Sequence, residues 1–121
     1  MVSMTPVFDR VGEVGAWVRD DGVIYDLSGF PVAFVLSHDV YSFSGEHKGR
    51  FSSGYLRDHY GNGVAWVRGA RGGPLLPVPS VPPIPPIPAV PPVPPIVSIP
   101  PVPAIDALAW SDIDLDEFFI T

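Results

Sequence analysis

The chain has no cysteine, so disulfides and Cys-based metal sites are excluded and the redox compartment is left open. Basic residues are scarce, seven Lys and Arg against thirteen Asp and Glu, and none lies beyond Arg71. Nothing positive is clustered enough to grip nucleic acid or an anionic membrane. Helical periodicity is missing as well: no apolar repeat of 3.6 survives over a helix-length window before residue 70. The only long apolar region, residues 75–105, is crowded with proline, which excludes a membrane-spanning helix. The opening MVSMTPVFD lacks the basic start and apolar centre of a signal peptide. A soluble, cytoplasmic protein is the expectation.

Catalytic signatures are absent too. No Gly-x-Ser-x-Gly elbow occurs. The Gly-rich stretch GARGG at 69–73 has no Lys-Ser/Thr and leads into proline instead of a helix, so it would not cradle phosphate. The three histidines, His38, His47 and His59, occupy non-equivalent repeat positions and form no His-x-x-x-His spacing. No metal, cofactor or enzymatic activity is expected.

What is present is a repeat. With 121 residues the chain holds one domain with room for an appendage. Its most legible stretch is Tyr25–Leu36, YDLSGFPVAFVL, two apolar runs about an Asp-x-x-Gly turn. Aligned on Gly12, Gly29, Gly45 and Gly61, four such units appear. Asp9, Asp26, Ser42 and Asp58 stand three residues before each glycine, where a short oxygen-bearing side chain accepts backbone N–H bonds. Glycine in the fourth place tolerates positive φ, the pattern of a type I turn closed by a glycine bulge. Turn capping therefore accounts for the three aspartates without any site. The flanking runs are rich in Val, Phe, Tyr and Trp, as strands prefer. Ala16, Ala33, Gly49 and Ala65 form a column of small residues. They are expected where the units crowd together, with Val18, Val35, Phe51 and Val67 on the same face. The next column, Trp17, Phe34, Arg50 and Trp66, points the other way and needs its own cover.

The series VIYDLSGFPVAFVLSHDVYSFSGEHKGRFSSGYLRDHYGNGVAWVRGARGGP, followed by prolines and a final Trp110-Ser111…Phe118-Phe119, resembles the 4-fold beta flower proteins. That resemblance implies a fold, four β-hairpin petals about an axis, and no activity, so no functional residue carries over. Lys48 and Arg50 in the third unit and Arg57 in the fourth replace apolar or aromatic residues and depart most from the pattern. The YD-type repeats of large bacterial shell proteins share the hairpin, but four units are too few for that architecture. The expected fold is all-β: four consecutive hairpins of about sixteen residues around a pseudo-fourfold axis, then an extended polyproline II tail and a short C-terminal segment. The expected divisions are 1–70 for the hairpins, 71–76 for a Gly-rich hinge, 77–105 for the tail and 106–121 for an acidic, aromatic end.

Fourteen of the seventeen prolines fall between Pro77 and Pro103. Pro79, Pro82, Pro85, Pro88, Pro91, Pro94, Pro100 and Pro103 share one register of three, and Val81, Ile84, Ile87, Val90, Val93, Ile96, Ile99, Val102 and Ile105 share another. In polyproline II, which repeats every three residues, the second register becomes a β-branched ridge along one edge. Gly72 to Ile105 carries no charge, unlike a disordered linker, so the ridge is expected to bury itself against protein. Straight, residues 79–103 would span roughly 75 Å at ~3.1 Å each, far beyond a globule this small. The segment must bend, wrap the globule or run on to a neighbouring chain, and the place expected for a bend is Val97-Ser98, where both proline registers lapse.

Trp17, Phe34 and Trp66 offer aromatic platforms for proline. Ser111, three residues before Asp114, marks a helix N-cap for a segment clamping the end of the tail. The expected function is a structural or interaction module that self-associates through the tail, with no nucleic acid or membrane partner. The alternative is a small domain that binds a glycan or peptide on exposed aromatics of the hairpins. Interaction residues would be Trp17, Phe34 and Trp66, the ridge residues Ile84, Ile87, Val90, Val93 and Ile96, and Trp110, Phe118 and Phe119. A ligand role for the tail on an SH3- or WW-like domain is disfavoured, since no Lys or Arg follows Arg71.

Overall fold

A computed structural model describes residues 3–120. Eight strands follow in order: β1 (Met4–Phe8), β2 (Val14–Arg19), β3 (Val23–Tyr25), β4 (Pro31–Leu36), β5 (Asp39–Tyr41), β6 (His47–Ser52), β7 (Tyr55–Arg57) and β8 (Gly63–Trp66), with one helix, α1 (Leu115–Ile120). Each strand pairs antiparallel with its neighbours in sequence, and β1 meets β8 at Phe8 and Trp66, closing a barrel of hairpins. Closure leaves no sheet edge, which suits strands this short.

The turn chemistry is as the repeat predicts. Asp9 Oδ1 accepts from the N–H groups of Val11 and Glu13, Asp26 Oδ1 from Ser28 and Phe30, and Asp58 Oδ1 from Tyr60 and Asn62. Gly12, Gly29, Gly45 and Gly61 hold φ of 90°, 88°, 91° and 85°, a region open to glycine at little cost. The register slips at Val7/Phe8, Ile24/Tyr25, Val40/Tyr41 and Leu56/Arg57, the same place in every hairpin.

The small column lies at the centre. Ala16, Ala33 and Ala65 are fully buried with Val7, Ile24, Val40, Leu56 and Val64, and Val18, Val35, Phe51 and Val67 pack against them. At Gly49 a Cβ would collide with the backbone of Arg57 and meet the Phe118 ring, so the missing side chain makes room for both. The C-terminal segment completes this core: α1 sends Leu115 and Phe118 into the same cluster. Its first helical bond runs from Phe118 N–H to the Asp114 carbonyl at 2.9 Å, so Asp114 sits at the cap. Ser111, expected as the cap, instead donates to Asp58 Oδ2 at 2.6 Å and ties the helix approach to the fourth hairpin.

Between barrel and helix, the proline-rich segment passes the four hairpin turns in order. Ser80 N–H donates to the Gly12 carbonyl (2.8 Å), Ala89 to Gly29 (2.9 Å), Ser98 to Gly45 (3.1 Å) and Ala107 to Gly61 (3.1 Å). The donors are nine residues apart, and they interrupt the register of three that Pro77, Pro83, Pro86, Pro92, Pro95 and Pro101 hold. Proline has no N–H to give, so each lapse supplies an anchor. The carbonyls of Val78, Ile87, Ile96 and Ile105 lie against the same four glycines, closer than 3.0 Å to where a Cβ would stand. Positive φ and tight approach together require glycine there.

Val97-Ser98 belongs to one of four equivalent anchorages, and the tail wraps past all four turns. The Val/Ile ridge is not buried against the chain's own barrel: Ile84, Ile87 and Val90 are each 92% exposed, Val93 89% and Ile96 99%. The barrel is met by other positions, such as Pro77, Pro86 and Pro95, which lie against the turn glycines. Backbone hydrogen bonds set the register, so the tail needs no apolar ridge to hold on.

Candidate functional site

The residues marked for interaction are dispersed. Trp17, Phe34 and Trp66 are 2%, 8% and 3% exposed, so these three offer no open face to a glycan or peptide. Trp66 stacks on Phe8 with centroids 4.7 Å apart and donates Nε1–H to the Asp9 carbonyl at 2.9 Å. Phe34 faces Tyr41 and Phe43 and, with Phe43, lines a groove against Pro91 to Val97, so here the tail does dock over an aromatic. Trp110 is half-buried, bridged to Gly63 and tilted on Tyr55. Phe118 is in the core, and Phe119 is half-buried against it. The ridge alone is presented to solvent.

Polar groups gather elsewhere, where the lap of the tail ends. Arg57 stands in the column otherwise held by Phe8, Tyr25 and Tyr41, and it is fully buried. Its Nη1 donates to the carbonyls of Gly61 (2.6 Å) and Ala107 (2.9 Å), and its Nη2 to Gly72 (2.9 Å). Gly72 precedes the tail and Ala107 ends it, so one guanidinium joins start and finish. Asp106 balances the charge, paired with Arg50 and 3.6 Å from Arg57 Nε. A buried cation needs such partners. Tyr55 completes the seam: the Arg57 guanidinium lies over its ring at 5.1 Å, and its hydroxyl donates to the Pro74 carbonyl at 2.6 Å. Burial pushes this phenol up, with the Arg57 charge opposing.

Beside that seam, His47 at the start of β6 and His59 in the fourth turn meet, Nδ1 to Nε2 at 2.9 Å. The other nitrogen of His47 lies 2.8 Å from Asp39 Oδ1. A cavity of about 390 Å³ opens beside them, lined by both histidines with Glu46, Lys48, Asp58 and Asp112 among others. Sequence reasoning set the histidines aside because their repeat positions differ. Adjacent hairpins touch through non-equivalent positions: one residue follows its glycine by two, the other precedes its own by two. The signal was present in that complementary offset.

A closed antiparallel barrel of hairpins, belted by its own proline-rich segment and plugged by its C-terminal helix, defines a class of small all-β domain. The family model for the 4-fold beta flower protein matches residues 5–119, and the chain belongs to that family. No curated protein and no solved structure matches it. Among the described residues no helix is long and apolar enough to cross a membrane, and no group of three or more His, Cys, Asp or Glu is placed to hold a metal ion.

Proposed function

We propose that this chain is a structural module that associates with copies of itself through the outward ridge of its tail. In this reading the four hairpins are petals about a pseudo-fourfold axis. The tail is a polyproline II belt, three turns of ~3 residues for each petal. Exposure at every third residue and anchorage at every ninth support that geometry. A cytoplasmic setting belongs to the same reading.

The observation that carries it is the ridge itself. From Val78 to Ile105 ten Val and Ile side chains lie at three-residue intervals, none below 88% exposed. Burial of one such side chain is worth ~1.5–3 kcal/mol at ~25 cal/mol/Å², so ten present on the order of 1,000 Å² of apolar surface. Monomers rarely leave so much uncovered, and a stable interface takes ~800 Å² from each partner. A second copy is a fitting partner because the ridge is uncharged, self-complementary and continuous.

Sedimentation across a concentration series tests this. The expected result is a mass above the 13.0 kDa of one chain. The double variant Ile87→Ser with Ile96→Ser should restore the monomer while its circular dichroism stays native, since neither side chain is buried within the chain. A monomer at millimolar concentration, or association unchanged in the variant, overturns the proposal.

A further inference from the structure

The facing histidines carry a different inference. Asp39, as a carboxylate, only accepts hydrogen bonds. Its 2.8 Å contact therefore places a proton of His47 on Nε2, which in the neutral ring leaves Nδ1 as a lone pair. That lone pair meets His59 Nε2 at 2.9 Å, so His59 donates. A carboxylate holding one imidazole nitrogen while the other is presented as a base is the arrangement that supports metal-bound histidine.

We propose that His47 Nδ1 and His59 Nε2 form a two-imidazole site for a divalent transition metal of the copper(II) type. The His59 proton moves through solvent from Nε2 to Nδ1, a change of tautomer with no net loss of protons. Two imidazoles with solvent in the remaining positions suit copper(II) first, then nickel(II) and zinc(II), by the usual order of affinity of nitrogen ligands for divalent metals. The rings are now 20° from parallel with centroids 5.0 Å apart, so their lone-pair axes oppose one another. Binding requires His59 to pivot, which its exposed position on the fourth turn permits. Water completes the ion's shell, because Asp39 is engaged on the far nitrogen of His47 and no group of three or more His, Cys, Asp or Glu among the described residues is placed to hold a metal ion. Glu46, Asp58 and Asp112 on the cavity wall outweigh Lys48 and favour a cation in the space beside the pair.

The test titrates the full chain with copper(II), nickel(II), zinc(II) and magnesium(II) salts at neutral pH. It follows heat and the imidazole nitrogen resonances of ¹⁵N-histidine protein. One copper per chain is expected, with broadening confined to His47 and His59 and affinity falling in the order copper, nickel, zinc, with none for magnesium. His59→Ala should weaken copper at least about tenfold while the circular dichroism stays native. Asp39→Asn should weaken it by ~10–100-fold, as loss of an orienting partner does, and His38→Ala should change nothing. Copper bound with undiminished affinity by His59→Ala, or broadening His38 as strongly as the pair, overturns the site.

Discussion

The barrel and the tail run in parallel around one another but are held by opposite means. The barrel repeats every sixteen or seventeen residues and is held by side chains, with Ala16, Ala33 and Ala65 at the centre of an apolar cluster. The tail repeats every nine and is held by main-chain bonds, turning its best apolar residues to solvent. A hydrophobic core tolerates exchange among residues of similar volume. A backbone contact tolerates no added atom and no missing N–H. The tail should therefore be indifferent to its large side chains and sensitive at the turn glycines and at its four anchoring donors, Ser80, Ala89, Ser98 and Ala107.

The strongest break in this comparison is made where the two regions share a core. Phe118 belongs to the C-terminal segment yet is 2% exposed among barrel residues. Phe118→Ala should cost ~3–5 kcal/mol, read by chemical denaturation with tryptophan fluorescence. A loss below ~1 kcal/mol would mean that the barrel does not need its plug.

Next in size comes a pair of glycine substitutions. Gly29 and Gly69 have nearly the same φ, 88° and 87°, but a Cβ on Gly29 would strike the Ile87 carbonyl, whereas on Gly69 it meets nothing within 4 Å. Gly69→Ala should cost only the left-handed backbone term, ~1–2 kcal/mol. Gly29→Ala adds displacement of the tail and should cost roughly twice that, since at least one hydrogen bond worth ~1 kcal/mol is lost with it. Equal losses in thermal melts of the two variants would remove tail contact as the reason for glycine at the turns.

The barrel was legible in the sequence because its signals are local: an aspartate and a glycine three apart define a turn, and alternation defines the strands beside it. The small column also read correctly, since Ala33 and its equivalents are explained only by crowding. The tail misled because its most conspicuous pattern, the Val/Ile ridge, is not the part that meets the barrel. Its true period lay in Ser80, Ala89, Ser98 and Ala107, unremarkable residues whose significance is an N–H that proline lacks. Arg57 was visible as an exception in its column, but the carbonyls of Gly72 and Ala107 that it joins are far apart in sequence. The His47–His59 contact needed the seam between hairpins, which no single repeat unit contains.

The smallest effect expected is also the sharpest test of what holds the tail. Ala89 follows Pro88 in an extended run, so proline is locally compatible there, and its side chain lies in an exposed position. Ala89→Pro removes the N–H that reaches the Gly29 carbonyl at 2.9 Å and puts a ring carbon in its path, so this one contact has to open and its acceptor turns to water. A loss of ~1–2 kcal/mol is expected for one hydrogen bond and the contact opened with it, even though proline elsewhere stiffens the unfolded chain and stabilises by ~0.4–1 kcal/mol. Ile87→Ser, two residues earlier and far larger as a chemical change, should stay within ~0.5 kcal/mol because its side chain touches little. If denaturation ranks them the other way, the tail is held by its ridge and the distinction between the two regions fails.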